Sequence, residues 1–523
     1  MRHFTTLGKS EISGWLWSMG IICLCYAVLM FSFIWGNHDW QPVLNDAGLS
    51  AGLVEGRFSQ YLLLNLFLSG KILPVLNILF GISLYSLALV LLCTRFFEFS
   101  LSTLADKLFL ASVASLPYIT EIIYFHFITF SLLGWTLVIT LSLLAAKHAA
   151  EKNYVQNTIL SALLLFLAAG GYPASVSMYA VAVCLYIICR PNIKKLIPFT
   201  VSFVVALTPI PFIYNWLKHN GLMIPLYNSE TETIANLVRK IPETLSYAIQ
   251  SLYQPQPFFP LGFKILIIII LLLFIICLNK VYFKRHQLYI SLLIIPALLL
   301  ALKLPLWLSR QIADGYYTTR DPTAFMIRGD FYALPVLLLF SLFYLQKFGS
   351  QQLRNFLLAL SATLLWFNLN LNLSFCKTML LGFKAENLLL QRITGRIEQH
   401  PDYKPDNIYN ITQTGEVYFR HKYYTPTTNE KYGFYTLHTP FGRYWTGSEH
   451  FNFYAPQNFA DNAVPIAPED ITREMSDFIF SSTAVWPSAG AIYLDNKYCI
   501  IALTAEGKQP LIQQFDYLNG QIQ

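Results

Sequence analysis

Runs such as ILIIIILLLFIICL (residues 265–278) recur along this chain, and they constrain its fold more than any other feature. A run of this kind has no polar face to turn toward water, so it must lie in a protein interior or in lipid. Composition decides between the two. Of 523 residues, 55% are hydrophobic and 12% charged, whereas soluble chains carry about 25% charged residues. A soluble core cannot hide that much apolar surface, so the chain reads as a mainly α, polytopic membrane protein. The net charge of +7 then belongs to membrane topology, and nucleic acid is not an expected partner.

Hydropathy predicts about eleven spans, near 15–35, 71–93, 105–119, 124–146, 155–170, 172–189, 196–215, 262–279, 288–307, 331–346 and 355–376. The first follows Arg2 and Lys9 and is too long for a signal peptide, so it reads as an uncleaved anchor. With the N-terminus placed in the cytoplasm, the inside loops carry Arg95 and Lys107, Lys147 and Lys152, Arg190, Lys194 and Lys195, Lys280, Lys284 and Arg285, and Lys347 and Arg354. Each is short and basic, as the positive-inside rule requires. The outer side then receives loops 36–70, 216–261 and 308–330, and the polar tail 377–523. Within the second loop, residues 231–252 place apolar side chains at helical spacing, the pattern of an interfacial amphipathic helix. The tail reads as a mixed α/β domain of ordinary size. It opens with a helix over 384–399 and has strand-like runs such as YCIIALTA (498–505). The cysteines fall mainly in apolar runs, with no CxxC pair and no metal-ligand spacing, so neither a disulfide framework nor a structural zinc site is implied.

Chemistry is expected where charge meets the outer face. Asp39, Asp46, Glu55 and Glu121 all map there, close to the ends of apolar runs. A charge kept at membrane depth faces a cavity or a partner by default; the competing reading is a solvated cap. Glu121 stands in PYITEIIYFHF (117–127), a turn between two apolar helices, with His126 five residues on. Arg57, Arg310, Arg320 and Arg328 fall outside against the positive-inside bias. Arginine at that depth suits an anionic lipid headgroup, because it binds phosphate with two parallel hydrogen bonds; the competing reading is pairing with acids such as Asp321 or Asp330. An acid with outward cations fits transfer from a lipid-phosphate-linked donor. The acid takes the acceptor's proton, and the cations stabilise charge on the departing phosphate. A divalent metal would serve the same electrostatic purpose.

These segments resemble a known family. NHDWQPVLNDAGLSAGLVEGRFSQYLLLNLF (37–67) is similar to the first outer loop of the Gtr-type, serotype-converting O-antigen glucosyltransferases, with His38-Asp39 at the family's acidic pair and Glu55-Gly56-Arg57 at its Gly-Arg motif. SLPYITEIIYFHFITF (115–130), GGYPASVSMYAV (170–181) and IRGDFYALP (327–335) resemble later segments of the same family. The resemblance implies a GT-C-type membrane fold in the bacterial inner membrane. It implies a polyprenyl-phosphate-linked sugar donor, classed as undecaprenyl-phosphate-glucose, and transfer to O-antigen or a similar lipid-linked glycan in the periplasm. It makes Asp39 the candidate general base; the reading of the residues adds Glu121 as a catalytic candidate and His38, Asp46, Glu55, Arg57, His126, Arg310, Arg320 and Arg328 as candidate substrate contacts. The first acid of the family's usual pair is replaced here by His38. Two other classes share such a topology: a flippase for lipid-linked glycans, and an O-antigen ligase or polymerase. A third role, glycan binding by the tail, is suggested by the aromatic segment GFYTLHTPFGRYW (433–445).

Overall fold

The computed structural model describes residues 6–32, 53, 56–68, 74–123, 129–152, 155–190, 192–223, 234–253, 260–284, 288–304, 307, 323–414, 466, 470–503 and 512. They divide into two compact units, with the boundary between Cys376 and Lys377.

The first unit is helical. In chain order its helices are α1 (Lys9–Ser32), α2 (Phe58–Leu68), α3 (Pro74–Leu91, extended by a π turn at Leu92–Phe96), α4 (Leu104–Ala114), α5 (Thr120–Ile123), α6 (Thr129–Lys152), α7 (Val155–Gly171), α8 (Val176–Cys189), α9 (Ile197–Leu207), α10 (Pro209–His219), α11 (Ile234–Arg239), α12 (Ile241–Tyr253), α13 (Leu261–Lys284), α14 (Leu288–Leu302), α15 (Thr323–Phe348) and α16 (Gln351–Glu398). Among the described residues, seven helical stretches are long and apolar enough to cross a membrane: Lys9–Ser32, Val75–Phe96, Thr129–Lys152, Lys194–His219, Leu261–Tyr282, Asp330–Phe348 and Gln351–Lys377. Three apolar helices are shorter, Val155–Gly171, Pro173–Cys189 and Leu293–Leu302. The segment expected to span at 105–119 is the 11-residue α4 followed by a 3-10 turn at Pro117–Ile119.

Local chemistry sets these boundaries. Thr103 and Asp106 form a reciprocal capping box that starts α4. Prolines open the 3-10 turns before α5 and α8, where a missing N–H costs nothing. Small residues let helices approach in an apolar medium. A Cβ on Gly170 would collide with the Phe58 ring, and one on Gly171 with the Trp135 indole. The Ser142 hydroxyl donates to the Ser161 carbonyl at 2.8 Å, tying α6 to α7.

The amphipathic stretch 231–252 differs from expectation in two ways. It breaks into α11 and α12 at Lys240, which is buried. Pro242, second in α12, cannot donate to the carbonyl four residues back, so the helix cannot run through. The face of α12 turned into the protein carries Thr244, Ala248 and Ser251 and packs on α13 and α14, while Ile249 is exposed. Small side chains win the inward face because they permit close packing.

The bundle has two chemically distinct ends. At one, Arg95 bonds Glu11 through two nitrogens at 2.8 Å. Lys147 donates to Glu98 and to the Arg95 and Phe96 carbonyls. Arg190 bridges Glu98 and Glu151, and Gln346 donates to Asp106. The Tyr282 hydroxyl reaches the Ile188 carbonyl. The basic loops around Arg95, Lys147, Arg190 and Lys347 therefore share one end, with the start of α1. Because α13 and α15 place Tyr282 and Gln346 there, Lys264 and Asp330 lie toward the other end.

The second unit contains the end of α16, β1 (Asn410–Thr414), α17 (Arg473–Phe480), β2 (Ile492–Leu494) and β3 (Tyr498–Ala502). The strand order is β1-β3-β2. The β1–β3 pair is parallel with Asn410 opposite Tyr498, and β2–β3 is antiparallel with Ile492 opposite Ile501. All of β3 is buried. Cys499 and Ile501 meet Leu389, Leu390, Ile393 and Ile397 of α16, while Tyr498 and Ile500 meet Met475 and Ile479 of α17. A strand covered on both faces reads as a continuous apolar run, as YCIIA does.

Candidate functional site

Among the residues singled out from sequence, His38, Asp39, Asp46, Glu55, His126, Arg310 and Arg320 lie outside the described residues, as does the aromatic segment 433–445. Glu121 falls within α5 and Arg328 near the start of α15, where the description covers the backbone alone. Arg57 is fully placed, and the site is built outward from it.

Gly56 has φ of +77°, and its N–H closes a turn on the Leu53 carbonyl at 2.9 Å. A Cβ there would also press on Met223 and Tyr214 at 3.0 and 3.1 Å. Glycine alone meets both conditions without strain. The turn delivers Arg57 at the head of α2, with its carbonyl accepting from Tyr61 N–H. The guanidinium carbon lies 5.0 Å from the centroid of the Tyr172 ring, a cation–π distance. Tyr172 packs against Tyr332 with centroids 5.8 Å apart, and the Tyr332 hydroxyl donates to the Leu132 carbonyl at 2.7 Å. The Arg57 charge is also felt at Tyr214 and Tyr332. The result is a half-buried guanidinium in a nook of three tyrosines drawn from the 172 turn, α10 and α15. Behind it, Phe58 packs on Phe166.

A second charged group lies at the same end. Lys264, one turn into α13, donates to the Tyr118 hydroxyl at 3.1 Å and to the Ser251 carbonyl at 2.8 Å. Lys303, just past α14, bonds Asp330 of α15 at 2.5 Å. The two lysines are at most 2% exposed and Asp330 is 6% exposed, so these are true interior charges. The Asp330 carboxylate acts electrostatically on both Lys264 and Tyr118. Two lysines and one carboxylate are thus buried together here. Tyr118 belongs to the 3-10 turn that leads directly into α5, the helix of Glu121. Trp307 closes the region by donating to the Leu237 carbonyl of α11 at 2.8 Å.

Sequence reasoning selected Arg57 and the Glu121 turn but missed Lys264 and Lys303. Both had a signal: each is a lone lysine inside an apolar run, LGFKILII (261–268) and LLALKLPLW (299–307), and an intramembrane ionisable residue marks a functional position by default. Asp330 was read as a partner for the arginines, and its described partner is Lys303. Among the described residues, no three of His, Cys, Asp and Glu gather as metal ligands. No family model matches the chain, and no curated protein or solved structure matches it either.

The arrangement can receive an anion. A half-buried guanidinium held over the Tyr172 ring offers forked hydrogen bonds to a phosphate. Buried positive charge nearby favours an anion far more strongly than it would in water.

Proposed function

We propose that this chain is a membrane hexosyltransferase that moves glucose from a polyprenyl-phosphate donor to a lipid-linked glycan such as O-antigen. In this reading about eleven spans cross the bacterial inner membrane. The N-terminus and the end bearing Glu11 and Arg95 are cytoplasmic, and the Arg57 end and the C-terminal unit are periplasmic. The observation that carries the reading is the gathering of Arg57, Lys264 and Lys303 with tyrosines at one end of an apolar bundle, where a lipid phosphate would sit. The resemblance of residues 37–67 supplies the base, Asp39.

The reaction balances without an added reactant. The acceptor hydroxyl oxygen bonds to the anomeric carbon while its proton passes to the Asp39 carboxylate. The bond from that carbon to the phosphate oxygen breaks, and its electron pair leaves with polyprenyl phosphate. Arg57 and the lysine group stabilise the charge that grows there. Transport fits less well. A transporter needs polar groups along its path, whereas the buried charges among the described residues, Glu11, Asp106, Lys147, Lys240, Lys264, Lys303 and Asp330, fall toward the two ends.

The test uses membranes supplied with radiolabelled polyprenyl-phosphate-glucose and a glycan acceptor. Asp39→Asn lowers transfer by about 10²–10⁴-fold, the usual worth of a general base, while the purified variant keeps its helical circular dichroism. Undiminished transfer by a folded Asp39→Asn protein sinks the assignment.

A further inference from the structure

At the Glu11 end, the outer face of α1 carries an open groove of about 470 Å³ lined by Lys9, Ile12, Ser13, Leu16 and Trp17. Lys107, from α4, reaches the same place and donates to the Ser13 hydroxyl at 2.8 Å. Lys9 and Ser13 are one turn apart on α1 and line the same groove.

What distinguishes this spot is the fate of the nearby acids. Glu11 is held by Arg95, Thr94 and the Gly8 N–H. Asp106 accepts from the Thr103 N–H and from Gln346. Glu98 and Glu151 are taken by Lys147 and Arg190. Among the described residues, neither Lys9 nor Lys107 has a carboxylate partner. Among the described residues, the surface here offers two cations and a hydroxyl with no carboxylate paired to them.

Beyond the cations the groove turns apolar. Ile12, Leu16 and Trp17 are exposed, and Leu24 is 59% exposed. Between Leu16 and Leu24, at four-residue spacing on the same face, stands Gly20, and nothing lies within 4 Å of where its Cβ would be. An exposed apolar face with a gap at Gly20 therefore continues along the helix from the cations. Trp17 sits one turn past Ser13, in the first half of α1, and indoles favour the membrane interface.

We infer that this groove holds an anionic phospholipid of the bilayer, with its phosphate between Lys9 and Lys107 and an acyl chain along Leu16, Gly20 and Leu24. The absence of an available acid selects against a zwitterionic headgroup, whose ammonium would find no partner. The site is separate from the Arg57 end, and its existence does not depend on the proposed sugar transfer.

The experiment places the full chain in bilayer nanodiscs that contain a minor fraction of phosphatidylglycerol or phosphatidylethanolamine with brominated acyl chains. The Trp17 signal is taken as the fluorescence difference from Trp17→Phe. We expect that signal to be quenched at much lower mole fractions of the phosphatidylglycerol. Lys9→Gln with Lys107→Gln raises the half-quenching fraction about 25-fold, at about fivefold per lysine near the surface. Lys194→Gln with Lys195→Gln, an exposed and a partly exposed lysine of the same end, leaves it unchanged. Gly20→Leu fills the gap, weakens quenching with both lysines in place, and carries the test if the lysine variant fails to fold. Equal quenching by the two lipids overturns the inference. So does an equal loss in the Lys194/Lys195 control, which would assign the preference to diffuse charge.

Discussion

Glu98 combines an unfavourable backbone with favourable charge. Its φ is +60°, the only positive φ of a non-glycine among the described residues, and it follows directly after the π turn and Phe97. Burial raises its carboxyl, but the Lys147 and Arg190 charges outweigh that and hold it below the ordinary glutamate range. The carboxylate is about half exposed, so its ion pairs contribute little to stability, and the left-handed backbone, at about 1–2 kcal/mol, is the larger effect. Glu98→Ala loses the pairs and keeps the strain, whereas Glu98→Gly loses the pairs and releases it. Thermal unfolding in detergent is expected to find Glu98→Gly more stable than Glu98→Ala by about 1 kcal/mol. A glycine variant no more stable than alanine would remove backbone strain from the account.

At the scale of elements, the tie between Lys303 and Asp330 joins the end of α14 to α15. Removing one partner leaves a buried unpaired charge, at about 3–5 kcal/mol, whereas replacing both with apolar residues is often nearly neutral. Lys303→Met should therefore destabilise strongly, and Lys303→Met combined with Asp330→Leu should recover most of the loss. Chemical denaturation of the three variants measures the coupling, and additive losses would mean the two side chains act independently. This pair also marks where sequence reading stops. The lone lysine in LLALKLPLW was visible as an oddity, but its partner lies 27 residues away across a helix packing. Likewise Pro242 was visible, yet which face of α12 turns inward depended on what α13 and α14 could accept. The strand YCIIA was legible because burial on both faces leaves an unbroken apolar run. The parallel partner that lies against it, beginning at Asn410, has no comparable pattern.

For the whole molecule, the apolar runs made the membrane class legible, since no soluble core could absorb them. The shared end of the basic loops was legible through the positive-inside rule, because arginine and lysine gather where acids and headgroups can meet them. The candidate site was half legible: Arg57 stood out as a cation beside an apolar run, but its tyrosine lining comes from residues 172, 214 and 332, brought together only by the packed bundle. The two-ended arrangement predicts a labelling pattern. In a cysteine-free background, Lys152→Cys and Asn220→Cys should react with an impermeant maleimide from opposite sides of sealed vesicles. Reaction from the same side would refute that α9 and α10 together traverse the bilayer.

The Tyr26 hydroxyl on α1 donates to Asn372 of α16 at 2.9 Å, and Thr120 reaches the same amide oxygen at 3.1 Å. The Asn372 amide in turn donates to the Ser115 carbonyl at 2.8 Å. Tyr26 and Asn372 are separated by 346 residues. At roughly 5–20 residues per second of synthesis, the first helix must wait about 20–70 s for the last to emerge. During that interval Tyr26 and Thr120 have each other, at 2.7 Å, but not their shared acceptor. The beginning and end of the membrane region thus act as the two halves of a clasp. A chain that stops short of Asn372 leaves the Tyr26–Thr120 pair, bonded to each other at 2.7 Å, without the acceptor that closes the clasp.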